Sequence, residues 1–312
     1  MGECRRLKVL AIIGPTAGGK SDLAMALSDH LPVEIVCMDS MQVYRGLDIG
    51  TAKPSQSDRA RVPHHMVDVC APEQSYSVAE YVQGADACIQ AIAARRRVPV
   101  LVGGTGLYLR AMRYPMTLGN SARDDEVRGV YQRMLEQEGP EAVHAVLAKK
   151  DPETARQLHP NNTRRVIRAL EVLAVTGHKF SEQTMPQEND QRYDMRIYAT
   201  QWDRETLYRR IDARVTRMVD AGLFEEVRGL LSRGVPRDAQ SMQGLGYKEA
   251  IPFLGGQATL ANTVERISRR TRNYAKRQMT WFRREKGVSW LAMEAGSQQA
   301  RATDIAAQWG RI

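Results

Sequence analysis

The run Gly14-Pro15-Thr16-Ala17-Gly18-Gly19-Lys20-Ser21 is a complete phosphate-binding loop, a motif that demands a strand before it and a helix after it. Both neighbours are present. Residues 7–13, Leu-Lys-Val-Leu-Ala-Ile-Ile, are short, almost wholly apolar and partly β-branched, as a buried parallel strand requires. Residues 21–31 carry Leu23, Ala24, Leu27 and Leu31 on one helical face. In that setting, backbone N–H groups and the positive end of the helix dipole surround a phosphate. Lys20 adds a point charge, and the Ser21 hydroxyl is placed to ligate Mg²⁺. The sequence therefore predicts a di- or triphosphate site. ATP and a pyrophosphate leaving group fit the same cradle equally.

The following text alternates strand and helix. Residues 33–38 read as the second strand, which ends in Asp39-Ser40-Met41-Gln42. Residues 76–96 read as a helix and 98–102 as another buried strand, ending in Gly103-Gly104-Thr105-Gly106. This pattern predicts an α/β fold, a phosphate-loop NTPase-like parallel sheet flanked by helices. Ligands gather at the carboxyl ends of such strands, so Gly14, Asp39 and Thr105 are expected at one edge.

Between the sheet segments lies helical material with little strand character: 126–138, 141–149, 152–158 and 163–176, the last ended by Gly177. It reads as an inserted all-helical lobe, residues 119–189, within a core of 1–118 and 190–312. Residues 192–202 look like a strand returning to the core. The stretches 203–231 and 260–284 look helical and are separated by a glycine-bearing loop, 241–248. The last fifteen or so residues look weakly specified.

The formal charge of +9 points to an anionic partner. Arg266, Arg269, Arg270, Arg272, Lys276, Arg277, Arg283, Arg284 and Lys286 crowd one segment, opposed there only by Glu265 and Glu285. Several fall on one side of a helix, interleaved with Tyr274, Trp281 and Phe282, which suits phosphate contact and base stacking. A solvated basic helix face is the competing reading. No run approaches the roughly 20 apolar residues of a membrane span. The N-terminus lacks the apolar stretch of a secretory signal, and Cys4, Cys37, Cys70 and Cys88 show no paired metal-ligand spacing. A cytoplasmic protein, monomeric by default, is expected. The adjacent His64 and His65 lack the helical i, i+4 spacing of a metal pair, so a structural role is expected for them.

The chain closely resembles the tRNA dimethylallyltransferases, also called tRNA isopentenyltransferases. The resemblance is carried by GPTAGGKS at 14–21, DSMQVYRGLDIGTAKP at 39–54, VPHHMVD at 62–68 and VGGTGLYLRA at 102–111. It continues in HPNNTRRVIRALEV at 159–172, GLGYKEA at 244–250 and TRNYAKRQMTWFR at 271–283, in the family's order and over nearly the whole chain. It implies transfer of a five-carbon dimethylallyl group from dimethylallyl diphosphate to N6 of the adenosine 3′-adjacent to the anticodon (position 37), with diphosphate released and Mg²⁺ as cofactor.

The resemblance also implies roles. Gly14, Pro15, Thr16, Ala17, Gly18, Gly19, Lys20 and Ser21 hold the diphosphate, with Ser21 on the metal. Asp39 matches the family's general base, which takes the proton from an exocyclic amine whose lone pair is delocalised; an organiser of Mg²⁺ is the alternative role. Thr105 lies at the family's site, against the alternative of a helix-capping threonine. For the tRNA anticodon stem-loop the resemblance nominates Asp39, Ser40, Met41, Gln42, Thr105 and Arg128, then Arg164, Arg165, Val166, Ile167 and Arg168 on the lobe. It adds Gln243, Gly244, Leu245, Gly246, Tyr247 and Lys248, and finally Lys276, Arg277, Gln278, Met279, Thr280, Trp281, Phe282 and Arg283. Reaching a base inside a folded loop implies extruding it from its stack.

Two departures stand out. Gly18 occupies a position where the family usually has serine, and Asn162 and Arg164 stand where aspartate and glutamine are more familiar. The zinc-finger extension of eukaryotic relatives is not present in this sequence, which suggests the bacterial type. Two other activities compete: prenylation of free AMP or ADP, which needs neither lobe nor basic segment, and ATP-dependent kinase or RNA-binding NTPase chemistry.

Overall fold

The computed structural model describes residues 6–115, 124–182 and 190–310. Packing divides the chain into two compact units, Met1–Arg113 with Arg192–Ile312, and Tyr114–Gln191. The boundaries expected near 118 and 189 lie outside the described residues, as does Cys4.

The larger unit starts with β1 (Lys8–Ile13), α1 (Lys20–Leu27), β2 (Val33–Met38), α2 (Gln56–Arg61), β3 (His64–His65), α3 (Val78–Ala94), β4 (Val98–Gly103) and α4 (Gly106–Arg113). The second unit contributes α5 (Asp125–Glu138), α6 (Pro140–Lys150), α7 (Pro152–Gln157) and α8 (Thr163–Thr176). The chain then adds β5 (Asp194–Gln201), α9 (Arg204–Asp220), α10 (Leu223–Ser232), α11 (Tyr247–Leu254), α12 (Leu260–Phe282), β6 (Val288–Ala292) and α13 (Gln298–Trp309) to the first unit.

The strands form one parallel sheet in the order β3-β2-β4-β1-β5-β6. The chain leaves β1 for β2, skips a position, and later fills it with β4. The β1/β4 junction is thus a topological switch point, where strand ends diverge and open a crevice. β1 shows why the sheet is buried on both faces. Val9, Ala11 and Ile13 pack with Ile89 and Ile92 of α3, Leu109 and Met112 of α4, and Phe282 of α12. Leu10 and Ile12 pack on the other side with Leu23 and Leu27 of α1 and with Ala302 and Ile305 of α13. A third cluster joins Val43, Tyr44 and Leu47, just beyond β2, to Val215, Leu223, Phe224, Val227 and Ile267 of α9, α10 and α12. It fixes the segment that follows Asp39.

In the smaller unit, Tyr131, Val143, Leu147, Val166, Ile167 and Leu170 form a separate core. Glu171 is fully buried there, and its carboxylate accepts the Asp124 N–H at 2.9 Å, Arg128 Nε at 3.0 Å and Arg168 Nη1 at 2.8 Å.

Several expectations from the sequence need correction. The first helix ends at Leu27, not at 31. The stretch 203–231 is two helices, because Gly222 adopts φ 98°, a left-handed conformation that stops α9 and starts α10. The loop expected over 241–248 ends early, since Tyr247 and Lys248 already belong to α11. The C-terminal residues are not weakly specified: α13 buries Ala302 and Ile305 against α1, and β6 extends the sheet beside β5. Only Ala302 and Ile305 of α13 are buried, with Ala306 and Trp309 partly so, and two alanines in a stripe of four give little periodic signal. Among the described residues no helix is long and apolar enough to cross a membrane.

Candidate active site

The phosphate loop is shaped by close approaches. A Cβ on Gly14, at φ 150°, would lie 2.2 Å from Thr200 Oγ1, so only glycine lets β5 come this near. A Cβ on Gly18 would meet Pro15 O at 2.8 Å and Thr200 Oγ1 at 2.9 Å. Gly19, at φ 78°, precedes α1 with no side-chain cap, which leaves the first helical turn without a protein side chain bonding its donors. Lys20 Nζ donates to Pro15 O at 2.7 Å, inside the loop's curve. Burial and the nearby Arg214 lower the Lys20 pKa to about 8, while Asp39 pulls it the other way.

The loop's outer carbonyls are held from α9 and the end of β5. Trp202 Nε1 donates to Gly18 O at 3.0 Å, and Arg210 Nε donates to Ala17 O at 2.9 Å. The Arg210 guanidinium also lies 4.3 Å from the Trp202 ring centroid, a cation–π arrangement.

Beside the loop stand Asp39 and Thr105, at the ends of β2 and β4. Asp39 Oδ1 accepts the Met41 N–H at 2.9 Å, which orients the carboxylate. Thr105 Oγ1 accepts the Ser40 N–H at 3.2 Å, so the hydroxyl ties the two strand ends together. Burial raises the Tyr274 hydroxyl pKa, with Asp39 adding to the effect. The glycines of 103–106 are explained by neighbours. A Cβ on Gly103 would lie 1.9 Å from Met38 O, on Gly104 2.1 Å from Gln278 Nε2, and on Gly106 2.3 Å from the Trp281 ring.

Two cavities meet at this edge. One, of about 300 Å³, is lined by Thr16, Asp39, Ser40, Arg214, Tyr274 and Arg277 among others, with apolar walls from Met41, Val215, Met218 and Ile267. The other, of about 700 Å³, runs along Ala17–Asp22 past Lys53, Arg210, Arg214 and Arg217. Arg214 and Met218 line both. Burial lowers the Arg214 pKa and Asp39 opposes it, so this guanidinium sits electrostatically between carboxylate and lysine.

Arg210, Arg214 and Arg217 escaped the sequence reading. Their i, i+4, i+7 spacing on α9 was the available signal, a stripe adjoining the buried Leu207, Ile211 and Val215. Glu226 was also missed. Its carboxylate accepts the N–H groups of Asp48 (2.9 Å), Ile49 (2.8 Å) and Gly50 (3.2 Å) and the Tyr247 hydroxyl. It thereby anchors the loop that walls both cavities.

Other expected residues take varied positions. Ser40, Met41, Gln243, Gly244, Leu245, Gly246 and Tyr247 line the smaller cavity. Gln42 stands just behind, its Oε1 accepting from Cys37 Sγ at 3.0 Å and its Nε2 donating to Thr51 O at 3.0 Å. Lys248, Lys276, Arg277, Thr280 and Arg283 are exposed, as are Arg164 and Arg165 on α8. Met279 and Trp281 are half-buried. Val166, Ile167, Gln278 and Phe282 are buried, so within runs expected to meet RNA these side chains face inward. Arg128 and Arg168 both pair with Glu171. His64 Nδ1 lies 2.7 Å from Val62 O and His65 Nε2 2.7 Å from Glu34.

The arrangement combines a polycationic anion cradle with a carboxylate, hydroxyls and an apolar-walled recess. Such groups can stabilise negative charge growing on a leaving group and accept a proton from a nucleophile.

The chain is similar to known proteins. A family model described as IPP transferase matches residues 42–285, and one described as isopentenyl transferase matches 7–63. A tRNA dimethylallyltransferase of Pelotomaculum thermopropionicum is 47% identical over 94% of this chain and 93% of its own. One of Bacillus mycoides is 44% identical over 96% and 94%. Among solved structures, a tRNA isopentenylpyrophosphate transferase of Bacillus halodurans superposes with a TM-score of 0.72 at 40% identity, covering 97% of this chain and 95% of that one. A eukaryotic dimethylallyltransferase acting on tRNA reaches 0.82 at 30% identity, covering 96% and 77%. With matches of this length and identity, the chain belongs to the IPP transferase family.

Proposed function

We propose that this protein transfers the dimethylallyl group of dimethylallyl diphosphate to N6 of the adenosine 3′-adjacent to the anticodon, position 37, of tRNA. The observation that carries the reading is the convergence of Lys20, Arg214 and Asp39 at the join of the two cavities. The diphosphate enters the larger cavity, where Lys20, Arg210, Arg214 and Arg217 oppose its charge. The adenine enters the smaller one, and Asp39 accepts the N6 proton as the N–C bond forms and the C–O bond to diphosphate breaks. The cationic cradle stabilises the charge that grows on the leaving group.

Ser21 fits a role as Mg²⁺ ligand. It lines the larger cavity beside Lys20 and Asp22, and among the described residues no group of three or more His, Cys, Asp or Glu side chains forms an all-protein cage. A hydroxyl supplemented by substrate phosphate oxygens and water suits this ion. Ser21 would hold Mg²⁺ there, and the ion would supply charge neutralisation to the diphosphate. For the tRNA, the exposed Lys276, Arg277 and Arg283 of the α12 region and Arg164 and Arg165 of α8 supply phosphate contacts.

The deciding experiment is mass spectrometry of an unmodified tRNA with adenosine at position 37, incubated with protein, Mg²⁺ and dimethylallyl diphosphate, alongside Asp39→Ala. One five-carbon unit gained at that adenosine, and lost in the variant, is the expected result. Prenylation of free AMP alone, or ATP turnover without prenylation, would overturn the reading.

A further inference from the structure

The Gln278 carboxamide joins the two halves of the site. Its Oε1 accepts the Thr16 N–H at 2.8 Å, and its Nε2 donates to Gly104 O at 2.9 Å. The side chain is buried, so neither bond is exchanged for water without cost. Thr16 follows Pro15, whose carbonyl accepts both Lys20 Nζ and the Gly18 N–H. Gly104 precedes Thr105, whose N–H donates to Met38 O and whose hydroxyl accepts the Ser40 N–H, on either side of Asp39. One amide therefore spans the distance between the leaving-group cradle and the strand end that carries the carboxylate. Gly104 is glycine because a Cβ there would lie 2.1 Å from Gln278 Nε2. The neighbours Lys276 and Arg277 are exposed, while Gln278 turns to the interior face of α12 with Thr271, Ala275 and Phe282.

We propose that Gln278 is a positioning residue for prenyl transfer, holding the phosphate loop in register with the Gly104–Thr105 turn, and that it does not read the RNA. This rests on the prenyl-transfer reading above. An in-line displacement needs the diphosphate-bearing carbon and the amine nitrogen aligned closely, and a rigid two-bond strut between their supports supplies that alignment. A methionine at 278 fills similar volume without either bond. A glutamate keeps an acceptor for Thr16 and turns a carboxylate oxygen toward Gly104 O.

The test compares wild type, Gln278→Met and Gln278→Glu in four measurements: single-turnover transfer rate at saturating substrates, tRNA affinity at two salt concentrations, melting temperature, and amide hydrogen exchange at Thr16. The expected result is a transfer rate lowered roughly 10- to 100-fold in Gln278→Met, with tRNA affinity and its salt dependence within about twofold of wild type. Thr16 exchange should accelerate in Gln278→Met and stay protected in Gln278→Glu, whose transfer rate should fall between the other two. A weakened tRNA affinity with an unchanged saturated rate would make Gln278 an RNA contact and overturn the proposal. So would a rate loss that merely tracks the unfolded fraction, or no rate loss at all. Failure of wild type to prenylate tRNA would refute the function instead, while Thr16 exchange would still report on the strut.

Discussion

The Trp202 indole N–H donates to the Gly18 carbonyl across 3.0 Å, linking the end of β5 to the phosphate loop 184 residues earlier. The bond engages one loop carbonyl, and Arg210 engages that of Ala17. A loop that cradles anions through N–H groups must point its carbonyls elsewhere, and these two side chains receive them.

Trp202→Phe keeps most of the ring and removes the donor. Orphaning the Gly18 carbonyl should cost about 1–3 kcal/mol of stability. Pyrophosphate affinity should fall as well, by roughly tenfold. Chemical denaturation and titration calorimetry measure the two separately; unchanged affinity would show that the loop keeps its shape without this bond.

Lys20 should give the proposed diphosphate binding a pH dependence. In the folded protein its ammonium loses its proton near pH 8, lowered first by burial and then by Arg214. A bound diphosphate favours the charged form, so binding above that pH takes up a proton. Pyrophosphate affinity should weaken as pH rises, by up to about tenfold per pH unit above pH 8, and level off below about pH 7. Calorimetry across this range checks it, and Lys20→Met should bind weakly with the slope flattened.

Glu171 should make the helical unit acid-sensitive. Burial raises its pKa, but hydrogen bonds from Arg168, the Asp124 N–H and Arg128 outweigh this and hold it below the ordinary carboxylate value. The stabilisation is therefore present above the unfolded pKa of about 4.3 and is lost as pH falls through the lower folded value. Glu171→Gln should cost about 1–3 kcal/mol at neutral pH, since the two arginines are partly solvated, and lose less on acidification than wild type. Thermal melts between neutral and acid pH measure the difference.

Glu226 anchors the cavity wall by accepting three consecutive backbone N–H groups. Glu226→Ala leaves those donors and the Tyr247 hydroxyl without their partner. It should lower kcat/KM for tRNA about tenfold, roughly 1.4 kcal/mol. Steady-state kinetics with Tyr247→Phe alongside, where only one of the four bonds is lost, should show a smaller effect.

On the proposed tRNA contact, the exposed Arg277 and Arg283 should supply salt-dependent RNA affinity. Replacing both with glutamine should flatten the slope of log affinity against log salt by about 1–2. Filter binding or fluorescence titration over a salt series tests this, and an unchanged slope would remove them from the interface.

The sequence by itself determined the phosphate loop, its flanking strand and helix, the parallel sheet and the helical insertion, because each rests on local periodicity or on glycines with one workable geometry. It also brought Asp39 and Thr105 to the same sheet edge, since strand ends in a parallel sheet share one side. Only the tertiary structure decided what surrounds them. Trp202, Arg210, Arg214 and Glu226 act on residues more than a hundred positions away, and no local pattern encodes such partners. Gln278 shows the limit most clearly: one residue from the exposed Arg277, it is assigned inward by helical phase and by the space that Gly104 leaves open. A run of sequence marks which segment approaches the ligand; the packing around each side chain decides which residues touch it and which hold the others in place.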